Sequence, residues 1–128
     1  MTENFSADPC KITFELSDTH LRAFVEGSED SYAVSRYLWT KVAAECRRTG
    51  ATRVLVVENL GSPSSINETY RVTTELPEFG LVGIKIAFVD LVETQHNINQ
   101  FGELVANNRG LNAKIFRSVD EAEAWLLD

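Results

Sequence analysis

The stretch RVLVVENLGSPSSINETY, residues 53–70, decides the fold. Val54 to Val57 form an unbroken apolar run, the pattern of a strand covered on both faces, and the chain then empties into a serine-rich loop. Ser65-Ile66-Asn67-Glu68 has the spacing of a capping box, in which a serine hydroxyl and a glutamate satisfy each other's orphan amides, so a helix opens there. Where a parallel sheet ends, strand carboxyl termini and helix amino termini share one edge, and exposed hydroxyls meet a positive partial charge. Ser62, Ser64 and Ser65 fall at that edge, with Asn59 just before it.

The same rhythm recurs downstream. Arg53 to Glu58, Lys85 to Asp90 and Ala113 to Arg117 are apolar runs about thirty residues apart, the length of a βαβ unit, which implies parallel pairing. A helix from about Ile66 to Leu76 fills the first interval, with Ile66, Tyr70 and Thr73 on one side, and Pro77 ends it. A helix from about Thr94 to Asn108 fills the second, with Ile98, Phe101, Leu104 and Val105 as its core face and Arg109-Gly110 as its stop. Ser118 and Glu121 form another capping box, opening a last helix docked by Trp125 and Leu126.

Upstream, Ile12, Phe14 and Leu16 alternate on one strand face, and Leu21, Ala23 and Val25 alternate on another after the turn Ser17-Asp18-Thr19, which makes a β-hairpin. Glu29 and Asp30 put negative charge at a helix start, and Val34, Leu38, Val42 and Cys46 make the apolar stripe of that helix, with Tyr37 beside them. Arg47, Arg48 and Gly50 close it. The expected order is β-β-α-β-α-β-α-β-α, an α/β fold with an N-terminal hairpin and a mostly parallel sheet backed by helices. Residues 1–9 read as a polar tail, and 10–128 as one domain.

The chain has 128 residues, 44% of them hydrophobic, and a formal charge of −7, an ordinary globular composition whose mean field repels phosphate backbones. Nucleic acid is therefore not an expected partner. No run approaches the ~20 apolar residues of a membrane span, and the start MTENFSADPC lacks the features of a secretory signal, so the expected location is cytoplasmic. Cys10 and Cys46 have no CxxC spacing and read as two reduced thiols. No cofactor is implied: phosphate-loop, dinucleotide and nucleophile-elbow motifs are all missing.

Candidate chemistry then rests on few residues. Glu58 and Asp90 fall at the ends of two parallel strands, where a carboxylate pair can do acid–base work if its two environments differ. The plainer reading is solvated groups or acceptors of loop amides. Glu93 and His96 are three apart on a helix, but no second ligand pair accompanies them, so no metal site is expected. Tyr32, Tyr37, Trp39, Tyr70 and Phe79 fall mostly at helical spacing, which points to the core or to a subunit contact such as a homodimer.

Asn108, Arg109, Gly110, Phe116, Ala124, Trp125 and Leu126, within ELVANNRGLNAKIFRSVDEAEAWL, resemble the closing segment of bacterial SpoIIAA-like proteins. LVVENLGSPSSINETY and LPEFGLVGIKIAFVD follow the middle of the same family, and the resemblance covers roughly residues 11 to 127. It implies a fold like the STAS domain and, more distantly, like CRAL-TRIO lipid carriers, with no established enzymatic activity. In anti-sigma antagonists a serine at the start of the corresponding helix is phosphorylated in an Asp-Ser-Ser-Gly setting. The comparable place here reads Pro63-Ser64-Ser65-Ile66, which makes Ser64 and Ser65 the implied phosphoacceptor positions without the flanking aspartate and glycine.

Three functional expectations follow. The first is a non-enzymatic binding or regulatory module that meets a protein partner through the Ser62 to Asn67 loop, with Asn59 and Asp90 nearby. The second is a carrier of a small apolar or lipid-like ligand, with Tyr70 and Phe79 flanking the same helix. The third is an enzyme using Glu58 and Asp90.

Overall fold

Strand β1 (Lys11–Leu16) pairs antiparallel with β2 (Leu21–Gly27), and β3 (Arg53–Leu60), β4 (Lys85–Asp90) and β5 (Asn112–Phe116) continue the sheet in parallel, in the spatial order β1-β2-β3-β4-β5. This computed structural model describes residues 8–61 and 64–128. Residues 1–7 of the expected tail, and Ser62 with Pro63, lie outside the described residues. The expected hairpin, parallel order and α/β class are all present.

The helices are α1 (Tyr32–Thr49), α2 (Ile66–Glu75), α3 (His96–Asn108) and α4 (Val119–Leu127). Because the strand order never reverses, every crossover runs in the same direction, and constant handedness places α1, α2 and α3 on one face. The main core lies there: Leu21, Ala23 and Val25 of β2, Val54, Val56 and Leu60 of β3 and Ile86 of β4 meet Leu38, Val42 and Cys46 of α1 and Val72 of α2. On the opposite face α4 buries Ala122 and Leu126 against Leu55, Val57, Ala87 and Val89. Both faces of β3 are thus covered, as its unbroken apolar run requires.

Local chemistry fixes the helix ends. Ser31 caps α1 by accepting from the Val34 N–H, and Gly50 closes that helix in the left-handed conformation at φ 77°. Ser65 and Glu68 form the complete capping box expected of α2. At α4 the box is partial: Ser118 Oγ accepts from the Glu121 N–H at 3.2 Å, but Glu121 Oε1 accepts from the serine hydroxyl rather than from its amide. Pro77 does not stop the chain from coiling. A 3₁₀ turn over Leu76–Phe79 takes it at its start, where a proline's missing N–H costs nothing.

Two helix faces differ from the expected ones. Ile66 and Tyr70 are 56% and 47% exposed, and α2 instead buries Thr69, Val72 and Thr73. Leu104 is also exposed, and α3 buries Gly102, Val105 and Ala106. In both cases the packed face carries small or hydroxyl-bearing residues, so a count of large apolar side chains selects the outer face. A Cβ on Gly102 would stand 3.3 Å from Thr69 Cγ2 and 3.4 Å from Thr73 Cγ2, so α2 and α3 approach closely at that glycine.

The sheet's two sides are tied down differently. Glu103 Oε1 accepts from the backbone N–H of Ile115 at 2.7 Å, and Asn107 both accepts from Ala113 N and donates to Ala113 O, so side chains of α3 occupy the outer edge of β5. Glu123 of α4 accepts from Arg22 Nε at 2.9 Å and lies 3.0 Å from Nε2 of buried His20, which ties that helix to the hairpin. Cys10 and Cys46 are buried free thiols in the main core, and burial pushes both up to about 11. Among the described residues no helix is long and apolar enough to cross a membrane.

Candidate functional site

At the carboxyl edge of the sheet, α2 and α3 stand over β3, β4 and β5 and leave a cleft of about 80 Å³. Its walls are apolar: Trp39, Val72, Leu76, Ile86, Phe88, Ala106 and Ile115 line it. Thr69, Gly102 and Ala106 are the small residues that α2 and α3 present to it. A reversing sheet opens a crevice where its strand order turns; this sheet has no such point, and the cleft lies instead between the sheet and two neighbouring helices.

Carboxyl groups occupy the cleft's sheet end. The parallel register puts Val25, Glu58 and Asp90 in one row across β2, β3 and β4, on the face that carries Val56 and Leu60. Glu58 lines the cleft and is only 3% exposed. Among the described residues its carboxyl has no hydrogen-bond partner. Burial, with Asp30 and Asp90 adding repulsion, holds it well above the ordinary 4.5.

Asp30 comes to the same cleft from the turn between β2 and α1. Its Oδ1 accepts from the Ser31 N–H and the Ser35 hydroxyl, both at 2.8 Å, while its Oδ2 has no partner among the described residues. Burial raises its affinity for a proton, against the effect of those two bonds. Asp90 is better satisfied: Oδ1 accepts from Val92 N and Oδ2 from Asn99 Nδ2, each at 2.8 Å. It too is raised by burial, with those bonds opposing.

Asp90 is thus the loop-amide acceptor that the sequence allows, whereas Glu58 is not solvated and has no loop partner among the described residues. Asp30 stands at the start of α1, as the sequence places it, just before the Ser31 cap, and from there it also lines the cleft. The residues that sequence reasoning missed are Asp30, Trp39 and Asn99. Trp39 carried a usable signal in its helical spacing, which pointed to the core, and its ring sits 6.2 Å from that of Phe88. Asn99 had none, because a polar residue on a helix betrays no direction.

The serine loop divides in two. Ser64 is half-buried, lines the cleft and pairs its hydroxyl with that of Thr69 at 3.0 Å. Ser65 is exposed and engaged as a helix cap. Its box partner Glu68 also serves α1, because Oε2 accepts from the Tyr32 N–H at 3.0 Å, so one side chain ties the amino termini of α1 and α2 together. Those two backbone bonds hold Glu68 below the usual carboxylate range. Asn59 is exposed on the opposite sheet face, the odd-numbered side with Leu55 and Val57, and so is not brought to Glu58 and Asp90.

Other candidate residues disperse. Tyr70 stacks at 6.4 Å on Phe101 over the outer surface of α2 and α3, and Phe79 lies under Arg36, so neither aromatic enters the cleft. Glu93 is paired with Arg117 rather than with His96. Among the described residues no three His, Cys, Asp or Glu side chains converge in a way that would hold a metal ion. No protein-family model matches this chain, and no curated protein matches it.

Proposed function

We propose that the chain is a non-enzymatic binding module that takes a small ligand into the cleft between α2, α3 and the carboxyl edge of the sheet. One observation carries this reading: Glu58 places a polar group with no partner among the described residues in an apolar recess, at a stability cost of about 1–3 kcal/mol, where an apolar side chain would only extend the core. The volume bounds the ligand. About 80 Å³ is roughly half the cavity that holds benzene in an engineered apolar core, and far below the ~300–1,000 Å³ of drug-sized sites. A lipid chain would have to lie mostly outside it. The reading we attach is a bacterial, cytoplasmic module of the SpoIIAA-like, STAS-related kind, supported by the sequence resemblance and by the α/β sheet order.

The test is a fragment screen on the full chain by ¹H–¹⁵N correlation NMR, using compounds of up to about six non-hydrogen atoms that span cationic, neutral and anionic heads. Saturable shifts centred on the amides of Glu58, Thr69, Asn99 and Gly102 are expected. A screen in which no compound moves those amides overturns the proposal. A second reading, contact with a protein partner through the loop, is favoured by the exposure of Ser65 beside the cleft mouth. Identical partners captured by wild type and by the Ser64→Ala, Ser65→Ala double variant would remove the loop from that account, and an intact mass free of phosphate in all growth conditions would remove its phosphorylated form.

A further inference from the structure

We propose that the cleft's ligand is a primary ammonium group on a short unbranched apolar chain, held by Glu58 and Asp30. This rests on the cleft being the binding site and goes further by naming what binds. The argument is one of matching groups. Among the described residues, three carboxyl oxygens at the sheet end of the cleft lack partners: both of Glu58 and Oδ2 of Asp30. An ammonium carries three N–H donors and no acceptor, so it satisfies all three oxygens and leaves nothing unpaired. Glu58 and Asp30 do not bond each other, and the nitrogen belongs in the gap between them.

Other heads fit less well. A carboxylate or phosphate would face three acids, Asp30, Glu58 and Asp90, that already repel one another. A guanidinium is planar and brings five donors in a fixed fork to a sheet end that offers three unpartnered oxygens among the described residues. A divalent metal needs several convergent ligands, and no such group exists among the described residues. The walls complete the match: Trp39 and Phe88 put aromatic rings in the lining, and Val72, Leu76 and Ile86 offer apolar surface to the ligand's methylenes.

Charges facing the site from every packed element bear on its pH dependence. They are Asp30 before α1, Asp90 at the end of β4, Glu68 on α2 and Glu103 on α3; Lys114 on β5 carries its Nζ on the opposite sheet face, over the Phe116 ring at 5.6 Å. A bound cation favours the ionised form of Glu58, whose proton affinity burial raises, so affinity rises with pH as free Glu58 titrates. The same ammonium exists on a free alkylamine and on a lysine side chain, and the probes separate the two.

The experiment titrates full-length protein at constant ionic strength with n-butylammonium, n-butanol, butyrate and Nα-acetyl-lysine methylamide, read by NMR. Butylammonium is expected to bind at least about tenfold more tightly than butanol, with butyrate weaker still, and Glu58→Gln is expected to erase that preference. Calorimetry in buffers of different ionisation enthalpy is expected to show proton release on binding to wild type. Tighter binding of the lysine derivative than of butylammonium assigns the ammonium to a protein; the reverse assigns it to a free amine. Equal affinity for butanol and butylammonium overturns the ammonium assignment while leaving the cleft as a site. Absence of cleft shifts with all four probes overturns both. If Glu58→Gln fails to fold, Asp30→Asn and the proton release on wild type still decide the matter.

Discussion

Replacing Glu58 with methionine should stabilise the protein. The side chain is 3% exposed, its carboxyl has no hydrogen-bond partner among the described residues, and the nearby acids Asp30 and Asp90 only repel its charge. Methionine has a similar length and flexibility and no group to desolvate. Relief of a buried polar group without a partner is worth about 1–3 kcal/mol. For 128 residues the unfolding entropy is about 0.27 kcal/mol/K, so 2 kcal/mol corresponds to a rise of about 7 °C in Tm. Urea unfolding at pH 7, with an unchanged m-value, measures the free energy directly.

The pH dependence gives a second readout with a fixed sign. Glu58 is raised well above 4.5 in the native state, so below the unfolded value both states hold the proton and the group contributes no slope. Between the unfolded and native values the native state keeps a proton that the unfolded chain has released, and stability falls as pH rises. Each tenfold difference in proton affinity is worth about 1.4 kcal/mol. A Glu58→Gln variant lacks this slope, so its advantage over wild type should widen from pH 5 upward. Destabilisation of Glu58→Met by 1 kcal/mol or more, or parallel pH curves for wild type and Glu58→Gln, would refute the reasoning, since either requires a carboxyl that is well satisfied.

Three further substitutions probe what frames the cleft, and a fourth probes the opposite face. Ser65→Ala should cost about 0.5–2 kcal/mol in urea unfolding through loss of the α2 cap. Glu68→Gln should raise hydrogen exchange at Tyr32 as well as at Ser65, because one carboxylate serves both amides; its contribution is present above 4.5 and lost as pH falls through its lowered native value, so the variant and wild type should converge in acid. Gly61→Ala should cost about 1–3 kcal/mol by thermal unfolding, since the new Cβ would meet the Ser28 carbonyl oxygen at 2.6 Å and a backbone atom cannot swing aside. Leu126→Ala should cost about 2–5 kcal/mol, because α4 supplies the packing on its face of the sheet and Leu126 is fully buried there.

The elements were legible in the sequence where a single periodicity governed them. The run Val54 to Val57 and the two runs that follow it spell out parallel strands because each must be apolar on both sides, and Ser65 with Glu68 spells out a helix start because few other arrangements satisfy orphan amides. Helix faces were less legible. On α2 the packed side is Thr69, Val72 and Thr73, and on α3 it centres on Gly102 and Ala106, so hydrophobicity pointed to Ile66, Tyr70 and Leu104 on the outside. The site suffered from the same blindness. Glu58 and Asp90 were visible as strand-end acids, but burial depends on what the helices place above them, and Asp30 reaches the cleft only through a turn whose path no local pattern specifies.

The rows of the sheet show why Glu58 is a departure rather than a requirement of the fold. On the face beneath α1, α2 and α3, one row runs Leu21, Val54, Ile86 and Ala113, and the next runs Ala23, Val56, Phe88 and Ile115. Both are wholly apolar. The third begins with Val25, fully packed, and then turns to Glu58 and Asp90 in the two most covered strands. Asp90 recovers its cost by holding Val92 and Asn99, so it shapes the turn into α3. Glu58 holds nothing among the described residues, and valine or leucine there would continue the pattern of its own strand. A sequence that keeps the two neighbouring rows of that face apolar, and places at Glu58 an acid with no compensation among the described residues, marks the position where the compensation is supplied from outside.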